Sequence, residues 1–174
     1  MRRVMIVGGP GSGKSVLARE LGARTGLPVH HIDRIHWMPG WTERDRAEKS
    51  RLCHEVHVRD RWIFEGGHSV TWPERLARAD TLIWLDVPVV LRQWRVIRRA
   101  LRYRGRNRPD LPEGCPERFD AGALDFYRYI WRSRRAARMR IRAIFADPPP
   151  HLTLRRLDSP RAVRQFLDAT GPRA

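Results

Sequence analysis

One short motif constrains the fold of this chain more than any other feature: Gly8-Gly9-Pro10-Gly11-Ser12-Gly13-Lys14-Ser15. It fills every fixed position of the phosphate-binding loop pattern. Its glycines allow the tight turn that points successive backbone N–H groups inward at the start of a helix. The loop therefore needs a buried strand before it and a helix after it. Apolar residues 4–7 precede the motif and residues 14–25 follow it with helical spacing, so both neighbours are predicted.

The chemistry of such a loop predicts the cofactors. Lys14 would reach the outer phosphates of a nucleoside triphosphate, and Ser15 would offer its hydroxyl group to magnesium. We therefore predict that the protein binds ATP and Mg²⁺, with a degenerate loop as the alternative. The predicted nucleotide site contains the loop and the residue after it: Gly8, Gly9, Pro10, Gly11, Ser12, Gly13, Lys14, Ser15 and Val16.

The rest of the chain alternates strand-like and helical patterns, which is typical of an α/β fold with a parallel sheet. The predicted strands are residues 4–7, 29–32, 62–64, 81–85 and 152–154. The predicted helices are residues 14–25, 43–59, 89–103, 120–145 and 159–169. These patterns predict one domain over residues 1–174, a P-loop NTPase three-layer sandwich with a five-stranded parallel sheet and helices on both faces.

A segment rich in proline, glycine and arginine interrupts the helical part of the chain. We predict that residues of about 104–118 form an arginine-rich lid inserted between two helices. Phosphoryl transfer spreads negative charge over the phosphate oxygens, and guanidinium groups neutralise it. The candidate arginines are Arg98, Arg102 and Arg106 for catalysis and Arg104 for nucleotide binding, with Arg108 as a further choice.

Acidic residues follow three predicted strands, at the edge where open α/β sheets bind ligands. Asp33, in His31-Ile32-Asp33, is a candidate general base or hydroxyl anchor for an acceptor, with a capping role as the alternative. Glu65 fits the position that orders magnesium opposite Ser15, and Asp86 is a weaker candidate for that role. The histidines around Asp33 also allow a metal site, but the sequence completes no ligand set.

Two further features bear on ligands. Pro160 follows the last predicted strand, where its ring could hold an adenine, although a helix cap by Ser159 explains the same residues. The net charge is +16, and the stretch from Arg92 to Arg142 contains 16 arginines and five acids. Nucleic acid is therefore a possible partner of region 92–142, but we expect most of these arginines to lie on solvated helix faces.

Compartment and membrane association follow from what the sequence lacks. No apolar run approaches the roughly 20 residues of a membrane span, and Met1-Arg2-Arg3 leads into the first strand without a signal-peptide pattern. The two cysteines have no metal-ligand spacing. We expect a cytoplasmic protein without a membrane partner.

The sequence resembles the adenylate kinase-like group of P-loop kinases, especially the small bacterial proteins labelled as DNA topology modulation or adenylate kinase-related proteins. Besides the loop, the resemblance rests on these segments: His31-Ile32-Asp33, Trp37-Met38-Pro39-Gly40-Trp41, Trp62 to Ser69, Leu85-Asp86-Val87-Pro88, Tyr103-Arg104-Gly105-Arg106 to Cys115-Pro116, and Ser159-Pro160-Arg161. Shikimate and gluconate kinases are similar at the strand ends. Their likeness implies that Asp33 touches the acceptor and that Trp37 to Trp41 build its pocket.

Two departures from this resemblance narrow the function. The chain has Glu65-Gly66-Gly67-His68 where the DNA topology modulation and adenylate kinase-related proteins usually have Asp-Gly-Asn-Tyr. It also lacks the aspartate, glycine, aromatic, proline, arginine run of true adenylate kinases. We therefore predict an ATP-dependent phosphotransferase that acts on a small-molecule acceptor, which could be a nucleotide or nucleoside. The alternatives are a nucleotide-gated nucleic-acid-binding protein and an ATP-binding pseudoenzyme.

Overall fold

The computed structural model describes residues 1–117, the backbone of residues 121–124, and residues 125–171. The strands in these ranges are β1 (Arg3–Gly8), β2 (Val29–His31), β3 (Trp37–Met38), β4 (Thr42–Glu43), β5 (Trp62–Glu65), β6 (Thr81–Leu85) and β7 (Thr153–Leu157). The helices are α1 (Lys14–Thr25), α2 (Ile32–His36), α3 (Arg46–His57), α4 (Trp72–Arg78), α5 (Val89–Arg102), α6 (Ala121–Ala146) and α7 (Pro160–Ala169).

The main sheet has five strands in the order β2-β5-β1-β6-β7, and all its neighbouring pairs are parallel. Strand β1 lies at the centre, where Ile6 pairs with Glu65 of β5 and Gly8 pairs with Leu85 of β6. Because all carboxyl ends lie at one edge, the loop after β1 lies beside the segments that follow β5 and β6. The predicted α/β architecture is confirmed.

Alternate residues of β1 enter two different cores, which explains the continuous apolar run in the sequence. Val4 and Ile6 pack in a cluster with residues of α1 and α7. Met5 and Val7 pack in a second cluster with residues of α3 and α6. All four side chains are at most 1% exposed. The sheet is therefore covered by helices on both faces, as predicted.

Several boundaries differ from the prediction for local reasons. Strand β2 ends at His31, so Asp33 lies in the first turn of α2 and does not share a strand face with His31. Helix α3 begins at Arg46 because the Asp45 side chain accepts hydrogen bonds from the backbone amides of Ala47 and Glu48 in its first turn. Helices α2 and α4 and the β3–β4 hairpin were not predicted. Strand β7 is displaced by up to three residues toward the C-terminus.

The predicted lid segment is folded against the β3–β4 hairpin. The Gly40 amide donates to the Gly114 carbonyl at 2.8 Å, and Trp41 Nε1 donates to the Pro116 carbonyl at 2.9 Å. Leu111 and Cys115 are buried, and Cys115 Sγ donates to the Met38 carbonyl of β3 at 3.2 Å. Residues 104–117 therefore form an ordered cover over the hairpin, and residue 118 lies outside the described residues.

Helix α6 is 26 residues long and rich in arginine. Ile130 and Ile141 are buried, whereas Trp131 is 47% exposed. The predicted start at residue 120 lies outside the described residues. None of the helices in the described ranges is both long enough and apolar enough to span a membrane.

Candidate active site

The loop between β1 and α1 has the backbone geometry of a phosphate cradle. Gly8, Gly11 and Gly13 have φ values of 151°, 75° and 100°, a region that favours glycine. The Ser12 amide donates to the Gly9 carbonyl at 3.2 Å, which closes the turn. The Lys14 ammonium group lies over the loop, 3.3 Å from that same carbonyl oxygen.

The start of α1 leaves backbone donors available for an anion. Gly13 caps the helix without a side chain to accept a hydrogen bond, and the first turn contains no acidic residue. The first N–H groups of a helix have no partner within the helix and carry partial positive charge. With Lys14 beside them, these groups suit a polyanion such as a triphosphate.

Two arginines of α5 that the sequence did not single out pack against the loop. A Cβ atom on Gly9 would lie 1.5 Å from Arg92 Nη1, and one on Gly11 would lie 2.3 Å from the Arg92 carbonyl oxygen. Arg95 Nη1 donates to the Ser12 carbonyl at 3.0 Å. The glycines thus permit a close approach of α5 and bring two more cations to the phosphate loop.

Ser15 and Glu65 meet beneath the loop, as the sequence predicted. Ser15 Oγ donates to Glu65 Oε1 at 2.9 Å, and His31 Nδ1 lies 2.8 Å from the same oxygen. Glu65 is 2% exposed. Burial raises the pKa of Glu65, but the hydrogen bond from His31, the charge of Lys14 and the hydrogen bond from Ser15 outweigh it, so the pKa is lowered. Glu65 is therefore held as a carboxylate.

The donor set at Ser15 and Glu65 suits magnesium bound together with phosphate. Mg²⁺ prefers hard oxygen ligands and is usually held by one or two carboxylates, substrate phosphates and water. The described residues contain no cluster of three or more His, Cys, Asp or Glu side chains that could hold a metal alone. Ser15 and Glu65 therefore fit a metal that arrives with a nucleotide.

The Glu65→Gln variant is expected to need at least about tenfold more free Mg²⁺ for half-maximal nucleotide binding or turnover, because a neutral amide replaces a metal-binding carboxylate. Titration of Mg²⁺ at fixed ATP measures this. The His31→Gln variant is the control, since it keeps the carboxylate and removes only its hydrogen-bond partner. An unchanged Mg²⁺ requirement in Glu65→Gln would exclude Glu65 from the metal site.

Asp33 lies near the phosphate end of the same cleft. Burial raises its pKa, and the carboxylate of Glu65 raises it further, whereas the charges of Lys14 and Arg108 act in the opposite direction. The net shift is upward. A carboxylate with a raised pKa accepts protons more readily, which suits a general base.

An ion-pair cluster from α5 and the segment 104–117 faces Asp33. Arg108 Nε lies 2.8 Å from Glu117 Oε1, and Arg108 Nη1 donates to Asp110 Oδ2 at 3.1 Å. Arg99 Nε lies 3.2 Å from the same Glu117 oxygen. The charges of Arg108 and Asp33 both act on the pKa of Arg99, so these groups lie close together. Sequence analysis named Arg108 and missed Arg99, which lies between two other predicted arginines.

The predicted lid arginines divide into two groups. Arg98 and Arg102 border the cleft, where they lie over the rings of Trp94 and Tyr103. Arg104 and Arg106 are exposed and do not line the cleft. Their predicted roles would require the Arg104 and Arg106 side chains to reach the cleft, which they do not line in this structure.

Two other predicted positions have definite partners. Asp86 forms ion pairs with Arg138 at 2.9 Å and Arg156 at 2.8 Å, and it is not among the residues that line the cleft. Ser159 Oγ accepts from the Ala162 amide and caps α7, which is the alternative given for this segment. Pro160 nevertheless borders the cleft.

The opposite wall of the cleft is aromatic and carries a buried lysine. Trp37 and Trp41 meet edge to face with ring centroids 5.3 Å apart, and Trp72 also lines the wall. Lys49, which is 7% exposed, places its Nζ 2.9 Å from His36 Nδ1. This wall, the loop and Asp33 enclose one cleft of about 1650 Å³. A cleft of this size can hold a nucleotide and a second small molecule.

A buried polar network supports the turn after β5. Arg75 is fully buried, donates from Nε to His57 Nε2 at 3.2 Å, and lies 4.0 Å above the Phe64 ring. His57 Nδ1 lies 3.2 Å from Glu74 Oε2. Burial lowers the pKa of His57 to about 4, and the charge of Arg75 acts in the same direction. His57 is therefore neutral in the folded protein near pH 7.

Acid is expected to destabilise the protein through His57. The unfolded chain takes up a proton on histidine near pH 6.5 but the folded chain only near pH 4. The contribution of neutral His57 to the free energy of unfolding is complete above about pH 6.5. It is lost as the pH falls toward 4, by at most about 1.4 kcal/mol per pH unit. Denaturant unfolding between pH 4 and 7 should show that the free energy of unfolding falls less steeply with decreasing pH in His57→Gln than in the wild type. Equal pH slopes in the two proteins would contradict this.

Solved structures with the same fold include small-molecule kinases. The shikimate kinase from Acinetobacter baumannii in complex with shikimate has a TM-score of 0.56 and 16% identity, over 97% of this chain and 90% of that chain. The shikimate kinase from Bacteroides thetaiotaomicron has a TM-score of 0.57 and 17% identity, over 97% and 95%. A sugar kinase from Janibacter sp. HTCC2649 has a TM-score of 0.50 and 15% identity, over 99% of both chains.

The sequence matches no protein-family model and no curated protein. At identities of 15% to 17%, the structural similarity establishes the P-loop kinase fold and leaves the reaction to the chemistry of the site. The closer resemblance to the DNA topology modulation proteins stays a prediction.

Proposed function

We propose that this protein transfers the γ-phosphoryl group of Mg·ATP to a small-molecule acceptor. The observation that carries the proposal is the convergence of three elements on one cleft: the phosphate loop with Lys14, the Ser15–Glu65 pair, and Asp33. These are the parts that in-line phosphoryl transfer needs, namely a phosphate cradle, a metal site and a group that orients the nucleophile.

Each residue has a role that its position supports. The loop amides and Lys14 hold the β- and γ-phosphates, and Pro160 borders the adenine. Ser15 and Glu65 hold Mg²⁺, which when bound neutralises charge on those phosphates. Asp33 accepts the proton of the acceptor hydroxyl group. Arginines of α5 and of segment 104–117 neutralise charge on the migrating group: Arg92, Arg95, Arg98, Arg99, Arg102 and Arg108.

The acceptor binds between Asp33 and the aromatic wall of Trp37, Trp41 and Trp72. Polyols resembling shikimate are candidates because a structural neighbour was solved with shikimate. Nucleoside monophosphates and nucleosides are candidates because the sequence resembles adenylate kinase-related proteins. The altered Glu65-Gly66-Gly67-His68 segment makes an acceptor other than AMP the stronger expectation.

An acceptor panel tests the proposal. ADP release from Mg·ATP is followed with nucleoside monophosphates, nucleosides, sugar acids and shikimate-like polyols, with the Lys14→Ala protein as the blank. Stimulation by one acceptor class supports the proposal and names its substrate. Tight ATP binding with no stimulated turnover by any class would favour a pseudoenzyme and overturn the kinase.

One observation favours nucleic-acid binding as a second candidate function. Trp94 and Trp131 are 53% and 47% exposed, and each has an arginine over its ring, Arg98 and Arg134 respectively. Exposed aromatic and guanidinium planes can stack on unpaired bases. Binding through six or more phosphate contacts would weaken by roughly a thousandfold or more between 50 and 200 mM salt. Absent or salt-insensitive binding of single-stranded DNA would eliminate this candidate.

A further inference from the structure

Helix α5 carries a row of exposed apolar side chains, which we call the apolar row. In the described part of the chain, Val90, Trp94, Ile97 and Leu101 are 71%, 53%, 42% and 60% exposed. Successive members are four, three and four residues apart, which places all of them on one face of a helix. The buried residues of α5 lie on the other face: Arg92, Val96 and Ala100.

The apolar row is not explained by the packing of α5 or by the cleft. The other face of α5 already fixes the helix, since Arg92 packs on Gly9 and Gly11 of the phosphate loop. Ile97 and Leu101 do not line the cleft, so a nucleotide or acceptor bound there would not cover them. Adjoining exposed apolar groups mark interaction surfaces in soluble proteins. The row therefore indicates a docking surface outside the cleft.

Helix α6 extends this surface with another exposed aromatic ring. Trp131 of α6 and Gln93 of α5 line the same small groove between the two helices. Trp131 is about as exposed as the members of the apolar row, and the Arg134 guanidinium lies 3.9 Å from the centre of its ring. Arg98 lies in the same way 5.3 Å from the ring of Trp94. The surface thus combines apolar groups with arginines that lie against them.

The charge of the surface selects an anionic occupant. Helix α5 and residues 126–137 of α6 together contain nine arginines and no acidic residue. The acid that precedes this part of α6, Asp125, is paired with Arg128 at 3.0 Å. A second copy of the chain docked through this surface would bring two sets of cations together, which is unfavourable. An occupant with negative charge and an apolar interior satisfies both the arginines and the row.

The aliphatic members of the row favour a lipid bilayer over a nucleic acid. Val90, Ile97 and Leu101 offer no ring on which a base could stack, but they gain free energy when they leave water for hydrocarbon. The row is about 16 Å long at 1.5 Å per residue, and its members lie on one narrow face, so they can enter a plane to similar depths. Tryptophan side chains are enriched at the level of lipid head groups. A basic amphipathic helix with such a face is typical of binding in the plane of the interface.

We propose that the apolar row of α5, together with Trp131, docks the protein on the surface of an anionic lipid bilayer. The expectation of no membrane partner rested on the lack of a spanning segment and of a signal peptide, and docking on the surface requires neither. The arginines of α5 and α6 contact the lipid phosphates while the apolar row enters the head-group region. This contact does not depend on the proposed kinase activity, because it uses another surface and needs no nucleotide.

Vesicle binding tests the docking surface. The protein is expected to sediment with vesicles of phosphatidylcholine and phosphatidylglycerol in equal parts at about 150 mM salt, and not with vesicles of phosphatidylcholine alone. The double variant Ile97→Ser/Leu101→Ser keeps every charge and is expected to bind about tenfold more weakly or worse, because two apolar side chains no longer leave water. The control is Val58→Ser/Val70→Ser, which changes two side chains of similar exposure outside the row. It is expected to bind within about twofold of the wild type.

A fluorescent label reports whether the row enters the bilayer. Cys53 and Cys115 are both fully buried, so a thiol-reactive, polarity-sensitive dye attaches to a cysteine introduced on the surface. Emission from Leu101→Cys is expected to shift to the blue when anionic vesicles are added, and emission from Val58→Cys is expected to stay unchanged. Absence of a shift at position 101, or equal shifts at both positions, would overturn insertion of the row.

The remaining outcomes separate the bilayer from other occupants. Equal vesicle binding by the two double variants would mean that net charge alone causes adsorption, and it would overturn the role of the row. No sedimentation with anionic vesicles, together with binding of single-stranded DNA that Ile97→Ser/Leu101→Ser weakens, would assign the surface to nucleic acid. A dimer in sedimentation velocity that the same variant abolishes would assign it to a second copy of the chain. Either result overturns the proposal.

Discussion

Replacing Lys14 with alanine is expected to lower phosphoryl transfer by at least about a hundredfold and to weaken ATP binding. The Lys14 ammonium group lies over the loop, 3.3 Å from the Gly9 carbonyl oxygen. It can neutralise charge on the outer phosphates both before and during transfer. Turnover of Mg·ATP and binding of a fluorescent ATP analogue measure the two effects separately.

The chain supplies a matched control, because Lys14 and Lys49 are its two lysines. Lys49 lies on the opposite wall of the cleft, beside His36. Lys49→Ala is therefore expected to keep the affinity for ATP within a few-fold, although it can change the KM of an acceptor. Unchanged activity in a folded Lys14→Ala protein would refute the assignment of the loop.

The Asp33→Asn variant is expected to lose about a hundredfold or more in turnover, since it removes general-base assistance, while its affinity for ATP is kept. Asp33 lies near the phosphate end of the cleft but is not part of the loop. The decisive measurement is of kcat and of the Kd for ATP separately, in the variant and in the wild type. An equal loss of ATP affinity would make Asp33 a structural or metal-binding residue instead.

The same variant is expected to be at least as stable as the wild type at pH 7. The pKa of Asp33 is raised in the folded state, first by burial and then by Glu65. The protonated Asp33 side chain adds to the free energy of unfolding. That contribution is complete below the pKa of the unfolded chain, about 3.9, and is lost as the pH rises through the pKa of the folded protein. At neutral pH the carboxylate is a net cost, which asparagine removes. Thermal unfolding at pH 7 checks this.

Asp86→Asn is the matched control for Asp33→Asn. The Asp86 carboxylate is engaged by Arg138 and Arg156 rather than by groups of the loop. Its neutralisation is expected to lower the melting temperature without lowering turnover of folded protein. A stable Asp33→Asn protein with low activity and a less stable Asp86→Asn protein with normal activity would separate the two acids.

Local sequence predicted much of the fold. The phosphate loop, the helix that follows it and the apolar strands were predicted because each depends on residues close in the chain. Helix α1 was predicted with its observed bounds of Lys14–Thr25, since Gly13 and Gly26 mark its two ends. The end of β2 was misjudged because nothing in His31-Ile32-Asp33 separates a strand end from a helix start.

The candidate site was predicted less completely. Ser15 and Glu65 were predicted to lie opposite each other, and they lie within hydrogen-bond distance because both follow strands of one parallel sheet; their role in binding metal stays a prediction. Arg108 was named only as a further choice and Arg99 was missed, because a dense run of arginines gives no signal for which guanidinium is buried. Arg75 was not noticed at all, since a single arginine in a short helix carries no sequence pattern.

The sequence by itself determined the glycine-rich turn after β1, the class of the fold and the acids at the strand ends, because glycine spacing and apolar periodicity act over a few residues. The tertiary structure decided which charges converge. It brought Arg99 and Arg108 to Glu117 and placed Arg75 beneath Gly66 and Gly67. Those contacts depend on how helices pack on the sheet, and packing selects among chemically identical arginines by burial and distance, which no local pattern encodes.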